Sequence, residues 1–207
     1  MSKINVAIID TGCANITSVR CAFERICDDV TVTRDQDFIR AASHVVLPGV
    51  GTAGAAMEKL VQFDLITFIQ SLTQPVLGIC LGMQLLTKSS QERDVNCLGL
   101  IDTKVSAMKN SDNLPLPHMG WNQLTHLMPP LFNGIDEGSY VYFVHSFAVP
   151  TGAFTAAQSD YGQAFSAAIS QHNFYGVQFH PERSGKVGSH ILKNFLAISA
   201  TQEKIGS

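Results

Sequence analysis

A cysteine stands at the centre of Gly78-Ile79-Cys80-Leu81-Gly82, after the apolar run Pro75-Val76-Leu77 and before Met83-Gln84-Leu85-Leu86, a stretch of helix-forming residues. This is the nucleophile-elbow pattern with sulfur in place of the serine oxygen. Glycines two residues to either side let the chain turn sharply from strand to helix and let a substrate approach the side chain. A helix that begins there aims unpaired N–H groups at the sulfur, which favours a thiolate. Cys13, Cys21, Cys27 and Cys97 lack this context and read as small buried hydrophobes.

A cysteine nucleophile needs a base, and seven histidines are available. His145 and His180 each end an apolar, strand-like run, where a backbone leaves its sheet near a crevice. His180 is followed by Pro181-Glu182, whereas His145 is followed by Ser146-Phe147 with no carboxylate nearby in sequence. In an extended segment residues i and i+2 project to one side, so Glu182 can reach back to His180. An acid so placed fixes the imidazole tautomer and stabilises the imidazolium.

The loop Gly49-Val50-Gly51-Thr52-Ala53-Gly54 matches G-x-G-x-x-G between a strand-like and a helix-like segment. A dinucleotide site would also need an acidic residue about 20 positions on. No Asp or Glu occurs from Leu65 through Ser90. An oxyanion role fits better, because exposed N–H groups of a glycine-rich turn can face the N–H of Leu81 across a substrate carbonyl.

Composition limits what can surround these groups. The chain has 207 residues, 45% hydrophobic and 15% charged, enough for one well-buried core and too apolar for a disordered chain. One domain over residues 1–207 is expected. A net charge of −3 without a basic run offers no electrostatic reason for a nucleic-acid or membrane partner. No stretch has the apolar length of a bilayer span, and the first strand-like run starts too early for a signal peptide. Five cysteines with no C-x-x-C pair suggest neither a disulfide framework nor a zinc ribbon. A reducing cytoplasm, with no metal or cofactor, is the expected setting.

In the first half, strand-like runs at Val6 to Ile9, Val30 to Thr33, His44 to Leu47 and Pro75 to Ile79 alternate with helical patterns, among them Ile16, Val19, Phe23 and Ile26 on one face and further helical segments over residues 53–72. The α/β class follows, with a mostly parallel central sheet and helices on both faces. From Leu98 onward, strand-like segments at Leu98 to Ser106, Tyr140 to Val144, Phe154 to Gln158, Phe165 to Ser170 and Tyr175 to Phe179 suggest antiparallel additions. Val187, Ile191, Leu192, Phe195 and Leu196 mark a closing helix.

With Cys80, His180 and Glu182 in order, the chain resembles the class I (triad) glutamine amidotransferases. Gly-Ile-Cys-Leu-Gly-Met-Gln at 78–84 and Gly-Val-Gln-Phe-His-Pro-Glu at 176–182 resemble their two signature motifs. Four further segments narrow the resemblance to the glutaminase subunits of imidazole glycerol phosphate synthases: Ile9 to Val19, Leu47 to Gly51, Pro117 to Asn122, and Tyr142 to Phe147. The resemblance implies that glutamine is hydrolysed and its ammonia passed to a (β/α)8 cyclase subunit in a heterodimer of the histidine pathway. It implies that the Gly49-Val50 turn joins Leu81 in holding the oxyanion, that Gly51, Gln84 and the backbone at Ser146 and Phe147 hold glutamine, and that Asn15, Trp121 and Arg183 face the partner. Arg183 stands where a lysine is more usual, keeping the charge but changing the geometry of an ion pair. Two other readings fit parts of the pattern: a different cysteine hydrolase or protease on the same elbow, and a non-catalytic interaction subunit.

Overall fold

Period-two alternation of aliphatic residues divides the central sheet into two buried faces. Val6, Ile8, Val46, Leu77 and Ile79 point into one apolar cluster, and their neighbours Ala7, Ile9, Val45, Leu47 and Val76 into another. Strands covered on both sides read as continuous apolar runs, which is why the first-half strands were legible in the sequence. The computed structural model describes residues 4–12, 16–109 and 114–199.

Strands and helices alternate as β1 (Val6–Ile9), α1 (Ile16–Glu24), β2 (Val30–Thr33), α2 (Gln36–Ala41), β3 (His44–Gly49), α3 (Ala53–Gln62), α4 (Ile66–Gln70), β4 (Val76–Cys80) and α5 (Leu81–Leu85). Nine further strands follow: β5 (Thr87–Ser90), β6 (Val95–Asn96), β7 (Ile101–Ala107), β8 (His118–Gln123), β9 (Tyr140–His145), β10 (Phe147–Ala148), β11 (Thr155–Asp160), β12 (Ala164–Gln171) and β13 (Phe174–Val177). A 3₁₀ turn, Pro181–Arg183, leads into α6 (Gly185–Leu196).

The main sheet has the order β11-β12-β13-β4-β3-β1-β2. It is parallel from β13 to β2, and β11 and β12 add antiparallel pairs at one edge. Helices α1 and α6 supply buried residues to one face, while α2, α3, α4 and α5 supply the other. This is the expected α/β class.

Two of the five second-half strands lie outside the main sheet. The run expected over Leu98 to Ser106 begins at Ile101 and joins a four-stranded sheet of order β10-β7-β5-β6. The run expected over Tyr140 to Val144 pairs as β9 with β8 in a two-stranded ribbon. Strand β8 buries only His118 fully, with the other five residues exposed or half-buried, so no hydrophobic period announced it. The helix after Cys80 is also shorter than Met83-Gln84-Leu85-Leu86 suggested, because the chain enters β5 at Thr87. Helix α2 escaped notice because it buries one residue, Ile39; it is defined instead by Asp35, whose Oδ1 accepts from the N–H groups of Asp37 and Phe38 at 2.9 and 3.1 Å.

Strand β4 lies between β3 and β13, with Cys80 opposite Gly49 and Ile79 opposite Val177. The first turn of α5 folds directly back onto these strands. A Cβ on Gly82 would overlap the Leu47 carbonyl oxygen, one on Gly49 would come within 2.6 Å of the Gly82 nitrogen, and one on Gly78 within 2.6 Å of the Gly82 oxygen. All three contacts are with backbone, which has no side-chain rotamer to yield. Gly82→Ala should therefore destabilise the fold by about 3 kcal/mol, read as a fall of at least about 6 °C in thermal midpoint; an unchanged midpoint would contradict this packing.

Candidate active site

Cys80 ends β4 and begins α5 with φ 54° and ψ −112°. A non-glycine residue pays about 1–3 kcal/mol for such a conformation. The interlocked glycines hold it there, and the side chain is turned out of the sheet toward a cavity of about 350 Å³, a size suited to one small molecule.

His180 reaches the same cavity from the other side of β4, three residues beyond the end of β13. Its segment is locked by hydrogen bonds that leave little freedom. The His180 N–H donates to the Tyr142 carbonyl at 2.9 Å, the Tyr142 N–H to Ser184 Oγ at 3.0 Å, and Ser184 Oγ to the His180 carbonyl at 2.7 Å. A Cβ on Gly188 of α6 would overlap the Pro181 carbonyl, so the helix seats directly against the turn. His180 Nδ1 then meets Glu182 Oε1 at 2.9 Å, and the carboxylate side chain is buried. Burial opposes a charged imidazole, but hydrogen bonding and charge from Cys80 and Glu182 outweigh it and hold the His180 pKa up at about 10. With Nδ1 turned to Glu182, Nε2 is the atom left for Cys80.

His145 also lines the cavity, in a different state. Its Nδ1 lies 2.9 Å from the Phe147 carbonyl, an obligate acceptor, so Nδ1 carries the proton and Nε2 accepts. His118 Nδ1, 3.0 Å from that Nε2, must donate, and His118 Nε2 in turn accepts from Asn122 Nδ2 at 3.3 Å. Asn122 Nδ2 also donates to the Asp160 carbonyl at 2.7 Å. Burial lowers the His145 pKa to about 3 and the His118 pKa to about 4, so this pair is neutral. The choice between His145 and His180 thus has a physical answer: one is paired with a carboxylate and charged, the other is locked neutral.

The remaining wall comprises Val50, Gly51, Leu81, Gln84, Glu92, Pro117, Val144, Ser146 and Phe147. Gly49 does not line it; it lies within β3, where it admits the turn of α5. Gln84 is buried and not on an exposed helical face, and its Nε2 donates to the Phe147 carbonyl at 3.0 Å and to Gln178 Oε1 at 2.9 Å. Glu92 was not anticipated. Its Oε2 accepts from the Ala53 N–H at 2.6 Å, and it is the one carboxylate on the cavity wall among the described residues. Nothing local in Gln91-Glu92-Arg93 signals this; the β5–β6 turn brings it across from the loop after β3.

Trp121 is exposed on β8, with its ring edge-on to Tyr142 at 6.0 Å. Tyr142 is bonded through its backbone to His180 and Ser184, and Arg183, which stands between those two in the chain, is exposed. Asn15 lies outside the described residues. Among the described residues no cluster of His, Cys, Asp and Glu is arranged to hold a metal ion, and no helix is long and apolar enough to cross a membrane.

The chain matches known proteins over nearly its whole length. A family model described as glutamine amidotransferase class-I matches residues 7–198. Imidazole glycerol phosphate synthase subunit HisH of Shewanella sediminis is 59% identical over 94% of this chain and 91% of its own length. The protein of the same name from Vibrio cholerae is 54% identical over 94% and 98%. In fold, the chain is similar to a solved chain of PurLQS from Thermotoga maritima, with TM-score 0.70 and 18% identity over 94% of this chain and 98% of that one. A crystal structure of a glutamine amidotransferase gives TM-score 0.71 at 14% identity over 93% and 97%.

Two titrations test the charge states. In ¹⁵N NMR, His180 should remain imidazolium through pH 8 and lose its proton toward about 10; Cys80→Ala removes one source of that shift and should lower the titration by about one unit or more. His145 and His118 stay neutral in the folded chain while their unfolded counterparts take up protons below about pH 6.5. Stability should therefore fall as pH drops from 6.5 toward 4, by up to about 2 kcal/mol per histidine at pH 5. Denaturant titrations of His118→Phe should show a shallower fall; an identical slope would refute the neutral pair.

Proposed function

The chain belongs to the class-I glutamine amidotransferase family, and from that membership we propose that it is the glutaminase subunit of an imidazole glycerol phosphate synthase. The observation that carries this reading is the convergence of Cys80, the charged His180–Glu182 pair and Gln84 on one cavity sized for a single amino acid. An extended peptide, as a protease would require, suits that cavity less well.

With the shared proton on His180, Cys80 Sγ attacks the side-chain amide carbon of glutamine as a thiolate. Negative charge develops on the amide oxygen. The N–H of Leu81, at the start of α5, is one donor for it, and the Gly49-Val50 turn, through Val50 on the cavity wall, is the other. His180 Nε2 passes its proton to the amide nitrogen, the C–N bond breaks, and ammonia leaves a γ-glutamyl thioester on the sulfur. Water then attacks the acyl carbon, its proton returns to His180, and glutamate departs. Glu182 holds the imidazole in register throughout. Gly51, Gln84 and the backbone at Ser146 and Phe147 hold the substrate, and Glu92 is placed to pair with its α-ammonium group.

We assign the whole chain, residues 1–207, to one such domain, acting in the cytoplasm. The acceptor is a second chain, a (β/α)8 cyclase subunit that takes the ammonia and releases imidazole glycerol phosphate and the aminoimidazole carboxamide ribotide. We assign Trp121 and Arg183, both exposed, to the contact with it, together with Asn15. Tryptophan and arginine are both enriched at such contacts.

Glutamate release from glutamine should be slow in the isolated chain and rise at least about tenfold with the cyclase subunit and its ligand, in the range of ordinary coupling between sites. Cys80→Ala should abolish it. Full turnover without the partner, or turnover that survives Cys80→Ala, would refute the assignment.

A further inference from the structure

We propose that the side-chain amide of Gln178 is a further catalytic group, donating an N–H to the Cys80 sulfur whenever that sulfur carries negative charge. The proposal deepens the glutaminase reading and rests on it for the reaction served.

A backbone carbonyl sets the direction of this amide. The Phe147 oxygen can only accept, so the Gln84 amide that meets it at 3.0 Å must present Nε2. The same Nε2 lies 2.9 Å from the Gln178 amide, which must answer with Oε1. Gln178 is thereby oriented without ambiguity: its Nε2 faces Cys80 Sγ at 3.8 Å. Flipping it would set two amide nitrogens against each other at a fully buried position. The Gln178 backbone is fixed as well, its N–H donating to the Ala167 carbonyl at 2.8 Å.

The sulfur also has the Val144 carbonyl at 3.9 Å. A thiol can donate to that oxygen, but a thiolate has no proton to give and gains only from a donor. Gln178 Nε2 is such a donor and, unlike His180, it keeps its N–H throughout the proton transfers of the cycle. It therefore serves at both ends of the cycle. It stabilises the sulfur before attack, and again when water has added to the thioester and the C–S bond breaks with its electron pair returning to sulfur. The charged and titratable groups facing the sulfur are His180 with Glu182 behind it, neutral His145, and Glu92 across the cavity; none of them is altered by a change at Gln178.

Alkylation of Cys80 by iodoacetamide reads the sulfur directly and needs no glutamine. In the full chain at pH 7, followed by mass spectrometry of the Cys80 peptide, Gln178→Met should slow the reaction about tenfold, the scale of one hydrogen bond to a charged group. Gln178→Glu, which keeps the shape and removes the donor, should slow it further. A Gln178→Met chain that melts like the unmutated one and reacts within about twofold of it would overturn the proposal. Should that variant not fold, the unmutated side chain decides: its NH₂ proton resonances should move when Cys80 is alkylated, and unmoved resonances would overturn it equally. Slowed alkylation in Gln178→Met, with no glutamate formed by the unmutated chain even beside a cyclase subunit, would sink the glutaminase reading and leave the donor standing. Normal glutamine turnover with unaltered alkylation would do the reverse.

Discussion

The site depends on the close approach of three backbones. Strands β3 and β4 and the first turn of α5 meet at Gly49, Gly78 and Gly82, with no room for a Cβ at any of them. That contact lets the chain reverse at Cys80 and keeps the residue at a positive φ that a cysteine avoids on its own. The strain is small beside the burial on either side of the sheet, where Leu47, Leu77, Ile79, Leu81 and Met83 are all nearly inaccessible. A rigid nucleophile is the result, and the rest of the machinery is arranged around its fixed position.

A second reference point is the Phe147 carbonyl. It accepts from His145 Nδ1 and from Gln84 Nε2, and each bond sets the direction of a chain of polar groups. One runs through His145 and His118, two imidazoles that burial keeps neutral, to Asn122. The other runs through Gln84 and Gln178 to the sulfur. Because the carbonyl cannot change role, neither chain has an alternative orientation of similar energy. Burial of His145 and His118 confines positive charge to His180, the one histidine on this wall, among the described residues, with a carboxylate partner.

Much of this was legible in the residues because it depended on short separations. The glycine spacing around Cys80, the His180-Pro181-Glu182 triplet and the buried first-half strands are local patterns, and each corresponds to an observed element or contact. Strand β8 and helix α2 were not legible, since each buries a single residue fully and so lacks a hydrophobic period. Glu92 and Gln178 were missed for a different reason. Glu92 has nothing adjacent in the chain to distinguish it, Gln178 stands within the 176–182 motif without a role of its own there, and the significance of both arises from contacts 39 and 98 residues distant.

By itself, the sequence determined the nature of the chemistry: a thiol on an elbow, a histidine with its acid, and an α/β frame covered on both faces. These follow from residue type and from spacings that secondary structure preserves. Only the tertiary structure decided which histidine is charged, which way the buried amides point and which carboxylate enters the cavity. Those properties are set by burial and by hydrogen bonds between residues far apart in the chain, and they exist only once the sheets have closed around Cys80.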